Sequence, residues 1–513
     1  MTQEQICMAI AIVAYLLVVL GVGIAYSRKN RTVDDFYLGG RRLGPIVTAM
    51  SAEASDMSSW LLMGLPGVAY LTGIADAAWT AIGLAVGTYL NWLIVAKRLR
   101  NYSVKTNSIT IPDFFSNRFR DNQKILMAIA AVIIVVFFVP YTASGFSACG
   151  KLFGTIFNLD YHVAMIASAV IIIGYTCVGG FLAASTTDLI QSIIMTVALI
   201  IVFGFGIVNA GGWDAVIQNA QSLPGYFSLT ESYNAANGTS NPYGFLTIVS
   251  TLAWGLGYFG MPHILLRFMA IGDSKKLKLS RRVATVWVVI SLAIGVLIGV
   301  IGLGMVANNA LEPLKDPETI IVQIANLLGQ NGVVLALIAG LILAGIFAST
   351  MSTSDSQLLA ASSGVSENII NGLFKIKTSP KMSMIIARAT LVVIAVIAVF
   401  IAWDPNSSVF NIVSFAWAGF GATFGPVVLF ALFWKRTNKW GALSGMVLGG
   451  VMVFVWKYVL RPLGGLWDIY ELLPAFILAC IAIVVVSLLT PAPEKEIIDE
   501  FKEVQLMGKS NNS

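Results

Sequence analysis

Apolar positions along this chain do not alternate with polar ones; they gather into long runs separated by short polar segments. The runs lie near 6 to 26, 44 to 72, 75 to 96, 125 to 149, 162 to 179, 188 to 209, 244 to 271, 283 to 306, 332 to 360, 384 to 402, 407 to 433, 440 to 460 and 471 to 490. A hydrocarbon slab of about 30 Å is crossed by roughly 20 apolar residues in a helix, so each run predicts a membrane span. The expected fold is therefore an all-α polytopic membrane protein with thirteen transmembrane helices. The first run, Ile6 to Tyr26, is too long for the apolar stretch of a signal peptide and has no basic segment before it, so it reads as a retained span.

Composition supports the same class. Of 513 residues 57% are hydrophobic and 11% charged, against about 25% charged in an ordinary soluble domain. The four cysteines, Cys7, Cys149, Cys177 and Cys480, sit in or at the ends of apolar runs without a CxxC pair, and read as packing residues. A net charge of +6 would suit a nucleic-acid partner only if it formed one patch. Here the basic residues sort by membrane side instead. With the N-terminus outside, only Lys151, Lys315, Lys457 and Arg461 fall on the outer side, leaving 28 of the 32 basic residues inside. The longest outer loop, Gly211 to Gly244, contains no Lys or Arg.

Two runs carry irregular, polar sequence at membrane depth. One reads Ser51-Ala-Glu-Ala-Ser-Asp-Met-Ser-Ser-Trp60 followed by Gly64-Leu-Pro-Gly67; the other reads Trp254-Gly-Leu-Gly-Tyr-Phe-Gly-Met-Pro-His263. Pro66 and Pro262 cannot donate to the carbonyls of Leu62 and Tyr258, which then need other partners. Such backbone is tolerated in a bilayer only where protein buries it or it lines a cavity. The two runs are the second and seventh, each opening a set of five, which is the 5+5 inverted-repeat layout of LeuT-type transporters. That leaves one extra N-terminal and two extra C-terminal helices. Asp56 lies in the first break, where a carboxylate costs about 2.5 to 3.5 kcal/mol on insertion scales and is a functional candidate by default. Glu53 stands closer to the cytoplasmic end, where solvation explains it as well as function does.

The ninth run adds hydroxyls. Ser349, Ser352, Thr353 and Ser356 recur at i, i+3, i+4 and i+7 and share one helix face. Hydroxyls beside unwound carbonyls are suitable oxygen ligands for a hard cation, although Ser and Thr also cement helix packing in membranes. Asp188, Asp355 and Ser356 are candidates for a secondary ion path, with Asp188 equally able to cap a helix start. His162 and His263 lack metal-ligand spacing, so sodium is the only metal expected.

The stretches Asp35-Phe-Tyr-Leu-Gly-Gly-Arg41, Ser55-Asp-Met-Ser58 through Trp60-Leu-Leu-Met-Gly64, Ala253-Trp-Gly-Leu-Gly-Tyr-Phe-Gly260 with Pro262-His-Ile-Leu265, and Met351-Ser-Thr-Ser-Asp-Ser-Gln357 resemble the solute:sodium symporter family, and within it the proline-carrying branch. The resemblance implies a sodium site made by the carbonyls of Ala54, Met57 and Ser349 and the hydroxyls of Ser352 and Thr353. It implies that Asp56 and Ser58 couple sodium to substrate. The substrate pocket it implies is lined by Ser58, Trp60, Gly64, Tyr141, Trp254, Tyr258 and Pro262. Relatives often carry glycine where this chain has Ser59, which adds a hydroxyl beside the pocket, and alanine at Ser349.

The expected activity is sodium-coupled import of L-proline or a similar small zwitterion by alternating access, without enzyme chemistry, cofactor or nucleic-acid partner. Aromatic faces suit the ring and ammonium, and half-helix N-termini suit the carboxylate. A symporter of the same fold for another amino acid, a carboxylate or a sugar is the alternative, and an ion channel or sensor is the rival from another class. The expected location is the bacterial cell membrane, N-terminus outside and C-terminus cytoplasmic. The expected division is an N-terminal helix and loop (1–43), a first five-helix repeat (44–210), an extracellular loop (211–243), a second repeat (244–433), two further helices (434–490) and a cytoplasmic tail (491–513).

Overall fold

The computed structural model describes residues 1–27, 33–376 and 379–510. Arg28, Lys29, Arg31 and Lys377, assigned to inner loops by the charge count, lie outside the described residues, as do residues 511–513 of the tail. The apolar runs form helices: α1 Gln3–Ser27, α2 Pro45–Asp56, α3 Leu65–Thr72, α4 Ile74–Leu90, α5 Ile125–Phe157, α6 Tyr161–Asn209, α7 Phe245–Leu252, α8 Pro262–Ala270, α9 Leu277–Ala307, α10 Ile320–Gly329, α11 Val333–Ser363, α12 Pro380–Ile401, α13 Val409–Phe433, α14 Lys439–Val455, α15 Leu472–Leu489 and α16 Lys495–Ser510. Among the described residues ten helical segments are long and apolar enough to cross a membrane, or eleven when the bent pair around Pro262 counts as one. Among the described residues the strands form one hairpin in the loop between α6 and α7, β1 Glu231–Asn234 against β2 Thr239–Pro242, which departs from an all-α chain.

The helix α6 has 49 residues, roughly 74 Å if straight and more than twice a bilayer core. It is interrupted at Gly180, whose φ of 66° only glycine adopts freely, in the gap between the fifth and sixth apolar runs.

The two irregular runs are unwound where the sequence predicts. The helix α2 ends at Asp56, Met57 leaves helical geometry, and a widened turn over Trp60–Gly64 leads into α3. The second run passes from α7 through a tight 3₁₀ stretch, Ala253–Phe259, to α8. Each proline begins the helix after its break, Pro66 within the first two positions of α3 and Pro262 at the start of α8, where a missing N–H costs least. The Tyr258 carbonyl accepts instead at 2.9 Å from the amide of Asn91, which begins the extension of α4 formed by a wide turn, Asn91–Val95, and a further helical stretch, Ala96–Lys105.

These breaks sit in the centre of the protein. Every residue from Thr48 to Gly67 is buried, whereas α1 and α12 present Leu17, Val18, Ile385 and Phe400 outward. Glycines bring the second break close to its neighbours: a Cβ on Gly255 would strike the Gly83 carbonyl of α4, and one on Gly257 would strike the Trp417 indole of α13. The repeated glycines of Trp254-Gly-Leu-Gly-Tyr therefore admit close backbone approach.

Candidate functional site

Unwinding at Met57 frees carbonyls at the end of α2, and α11 faces them. The Ser352 hydroxyl donates to the Ala54 carbonyl at 2.7 Å and also lies 3.0 Å from the Ser349 carbonyl. One turn of the hydroxyl stripe thus meets the first break directly. Thr353 Oγ1 is buried there with no hydrogen-bond partner, an arrangement that costs free energy unless something else fills its valence. Ser349 Oγ bonds back to Ile346 within its own helix, so only the Ser349 carbonyl is turned to this use. The Ala54 and Ser349 carbonyls thus meet at the Ser352 hydroxyl, with the buried Thr353 hydroxyl on the next residue, oxygen chemistry of the kind that suits a hard monovalent cation.

Asp56 closes α2 and faces the second break. The Tyr258 hydroxyl donates to Asp56 Oδ2 at 2.6 Å, while the Tyr141 hydroxyl lies 3.4 Å from the Asp56 carbonyl. Ser58 orders the break itself: its N–H donates to the Asp56 carbonyl, and its Oγ accepts from the Trp60 N–H at 3.1 Å.

A small cavity of about 10 Å³, close to the room one water needs, lies between the breaks, lined by Asp56, Met57, Trp60, Tyr141 and Trp254 and by Leu84, Val413 and Trp417. Its walls are aromatic. Trp60 and Trp254 have ring centroids 5.6 Å apart, Phe410 lies 6.0 Å from Trp60 and 5.5 Å from Trp254, and Tyr470 stacks on Trp254 at 5.1 Å. The Trp417 indole donates to the Trp254 carbonyl at 2.7 Å, holding that wall to α13. Trp60 Nε1 and Ser59 Oγ are buried without partners. Gly64 lies behind Trp60 against Phe410, Pro262 starts α8, Tyr258 reaches the cavity through Asp56 and Trp417, and Ser58 is turned to the backbone of the break; these four do not line it.

A second polar cluster lies further along the stripe. Ser356 accepts from Arg267 Nη2 at 2.6 Å, and the same guanidinium donates to Ser51 Oγ at 3.0 Å and the His263 carbonyl at 3.0 Å, 3.4 Å from Asp188 Oδ2. Ser51 donates to Asp188 at 2.6 Å, and Ser356 lies 3.2 Å from Asp355 Oδ1. Asp188 lies in mid-helix on α6, so it caps no helix start. Asp188 Oδ1 and Asp355 Oδ2 lack hydrogen-bond partners, leaving two buried carboxyls around one guanidinium.

Several of these residues escape sequence reasoning. Arg267 counts as an inner-side charge in the topology tally, yet it is 1% exposed and joins both broken runs. Its signal is a lone arginine within an apolar run, which the cost of membrane charge marks as functional. Glu53 is likewise 1% exposed and accepts from the Trp92 indole at 2.8 Å, so solvation at the helix end does not account for it. On the other side of the cavity Glu318 accepts from Ser408 Oγ, the Val409 and Phe410 amides, and Lys151 at 2.7 Å, fixing the start of α13 from which Phe410 projects.

Comparison with known proteins places this architecture. A Na⁺-coupled sialic acid symporter in a substrate-bound, outward-open state superposes with a TM-score of 0.77 at 19% identity, over 95% of this chain and 99% of that one. A nucleobase-cation-symport-1 family transporter in a closed conformation gives 0.55 at 12% identity, over 91% and 98%. At these identities the likeness establishes the fold. By sequence the chain is 42% identical to a high-affinity proline transporter of Bacillus subtilis, over 94% of this chain and 98% of that one. It is also 42% identical to a sodium/proline symporter of Staphylococcus aureus, over 94% and 93%. The model of the sodium:solute symporter family matches residues 36–449, and the chain belongs to that family.

Proposed function

We propose that this protein is a sodium-coupled symporter importing L-proline across the cell membrane by alternating access. The observation that carries the reading is the contact of Ser352 with the Ala54 carbonyl beside the unpartnered Thr353 hydroxyl, one turn from an aromatic cavity. The names of relatives sharing 42% of its residues support proline as the cargo.

In this reading the carbonyls of Ala54, Met57 and Ser349 with the hydroxyls of Ser352 and Thr353 hold sodium. The ion ties α11 to the end of α2. Because Asp56 belongs to that end and to the cavity, and Ser58 braces the backbone between Asp56 and Trp60, ordering it for sodium also orders it for substrate, and linkage makes the two affinities rise together. The ring of proline lies among Trp60, Trp254, Tyr141 and Trp417, with Gly64, Tyr258 and Pro262 supporting the walls. The cluster of Asp188, Asp355 and Ser356 with Arg267 serves the secondary ion path.

Thirteen spans follow when the first broken run is added to the apolar helices and α6 is divided at Gly180. They arrange as residues 44–210 and 244–433 in two inverted repeats, preceded by 1–43, separated by the loop 211–243 and followed by 434–490 and the tail 491–513. The basic-residue distribution favours an external N-terminus and cytoplasmic C-terminus. Binding of labelled proline to purified protein, with and without sodium and against a panel of amino acids, carboxylates and sugars, tests the assignment. Sodium-enhanced binding displaced best by proline is expected; stronger displacement by another solute would transfer the site to that solute.

A further inference from the structure

Away from the transport path, an open cleft of about 800 Å³ lies where the extension of α4 meets the loop before α9, the end of α13 and the tail helix α16. Five basic residues line it, Lys97, Arg98, Lys275, Lys278 and Arg281, and no acidic residue does. Among the described residues none of the salt bridges engages Arg98, Lys275, Lys278 or Arg281. Lys278 and Arg281 stand three apart on α9 and so share a face. Arg98 lies over the Phe433 ring at 4.3 Å, with Nη1 on the Leu432 carbonyl, which fixes its stem beside the cleft.

The same cleft has an apolar side. Leu93, Ile94 and Phe433 line it and are exposed, directly beside the basic positions. On a membrane protein such residues face acyl chains, and the step from Ile94 to Lys97 marks the edge of the hydrocarbon layer. A free inorganic anion would use the charges and leave the apolar wall idle. A molecule with a phosphate head and acyl tails uses both.

We propose that this cleft is a binding site for an anionic glycerophospholipid, its phosphate and headgroup among Arg98, Lys278 and Arg281 and its chains along Leu93, Ile94 and Phe433. Basic pockets between membrane helices bind acidic headgroups by the same chemistry. The bound lipid joins α4 to α9 through charges that otherwise repel one another.

The test uses the full-length protein in phosphatidylcholine nanodiscs containing increasing phosphatidylglycerol, with retained lipid read by native mass spectrometry and thermal stability read in parallel. Phosphatidylglycerol is expected to be retained preferentially and to raise Tm. Lys278→Gln and Arg281→Gln should each weaken that preference about fivefold, with Lys278→Arg restoring it and Lys381→Gln, outside the cleft, leaving it intact. Lys278 is exposed, so its variant does not depend on refolding a core. Equal retention by the wild type and both Gln variants would overturn the site. Displacement of phosphatidylglycerol by inorganic phosphate at comparable concentration would overturn the lipid assignment.

Discussion

The Ser352 hydroxyl donates to the Ala54 carbonyl at 2.7 Å across 298 positions of sequence, joining the hydroxyl helix α11 to the unwound end of α2. The Thr353 hydroxyl beside it is buried and unpartnered. Hydrogen bonds and ligand contacts to charged groups are worth about 1.5 to 3 kcal/mol, or roughly ten- to a hundredfold in affinity. Ser352→Ala and Thr353→Ala are therefore each expected to raise the sodium concentration for half-maximal transport by at least about tenfold. The apparent proline affinity at saturating sodium should change much less. Ser349→Ala, which keeps its carbonyl, should leave sodium activation near wild type; sodium titrations of all three variants check this.

Trp254 is stacked between Tyr470 and the Trp60–Phe410 pair and lines the cavity. Buried aromatic anchors commonly cost 2 kcal/mol or more when truncated. Trp254→Ala should raise the KM for substrate at least about tenfold, and Trp254→Phe should recover part of the loss, while half-saturation by sodium moves little. Initial-rate measurements against both ligands separate the effects.

Tyr258 and Asp56 form the hydrogen bond between the two breaks, at 2.6 Å. Tyr258→Phe should weaken both sodium and proline binding, because Asp56 bridges the two sites, and the loss should be smaller in an Asp56→Asn background. A double-mutant cycle measured by ligand binding gives the coupling, with about 1.5 to 3 kcal/mol expected for a charge-assisted bond.

The buried pair Lys151–Glu318 gives a stability prediction. Glu318→Ala removes the nearer acceptor of Lys151, which keeps Asp316 at 3.0 Å, and uncaps the first amides of α13; it should cost about 1 to 3 kcal/mol, the penalty of leaving buried polar groups short of partners. Adding Lys151→Met should restore part of that loss, because the helix amides stay uncapped. Thermal unfolding of the single and double variants in detergent gives the comparison.

What could be read beforehand depended on how local each signal is. Gly, Pro and acidic residues inside Ser51–Gly67 and Trp254–His263 contradict an ordinary membrane helix, so both breaks and the stripe at Ser349–Ser356 were legible in one dimension. The precise unwinding was less so: Met57 and the 3₁₀ stretch Ala253–Phe259 end the helices before either proline is reached. Partners far apart in sequence left no local trace. Nothing near Arg267 announces Ser51, Asp188 and Ser356, and nothing near Phe410, Val413 or Trp417 distinguishes the cavity wall from the rest of an apolar helix. At Glu53 the sequence leaves solvation and function level, because Trp92, which holds it, comes from a different helix. The hairpin between α6 and α7 is built from Glu231–Asn234 and Thr239–Pro242, segments too polar and short to show a strand period.

The central claim is that sodium held between α2 and α11 drives proline through the cavity beside it. Uptake of labelled proline into proteoliposomes containing the purified protein, under an inward sodium gradient, measures that most directly. Saturable accumulation that collapses when sodium is replaced by potassium, and that needs higher sodium in Thr353→Ala, is the expected result. Proline uptake indifferent to sodium, or none in protein shown to be folded, would contradict the account.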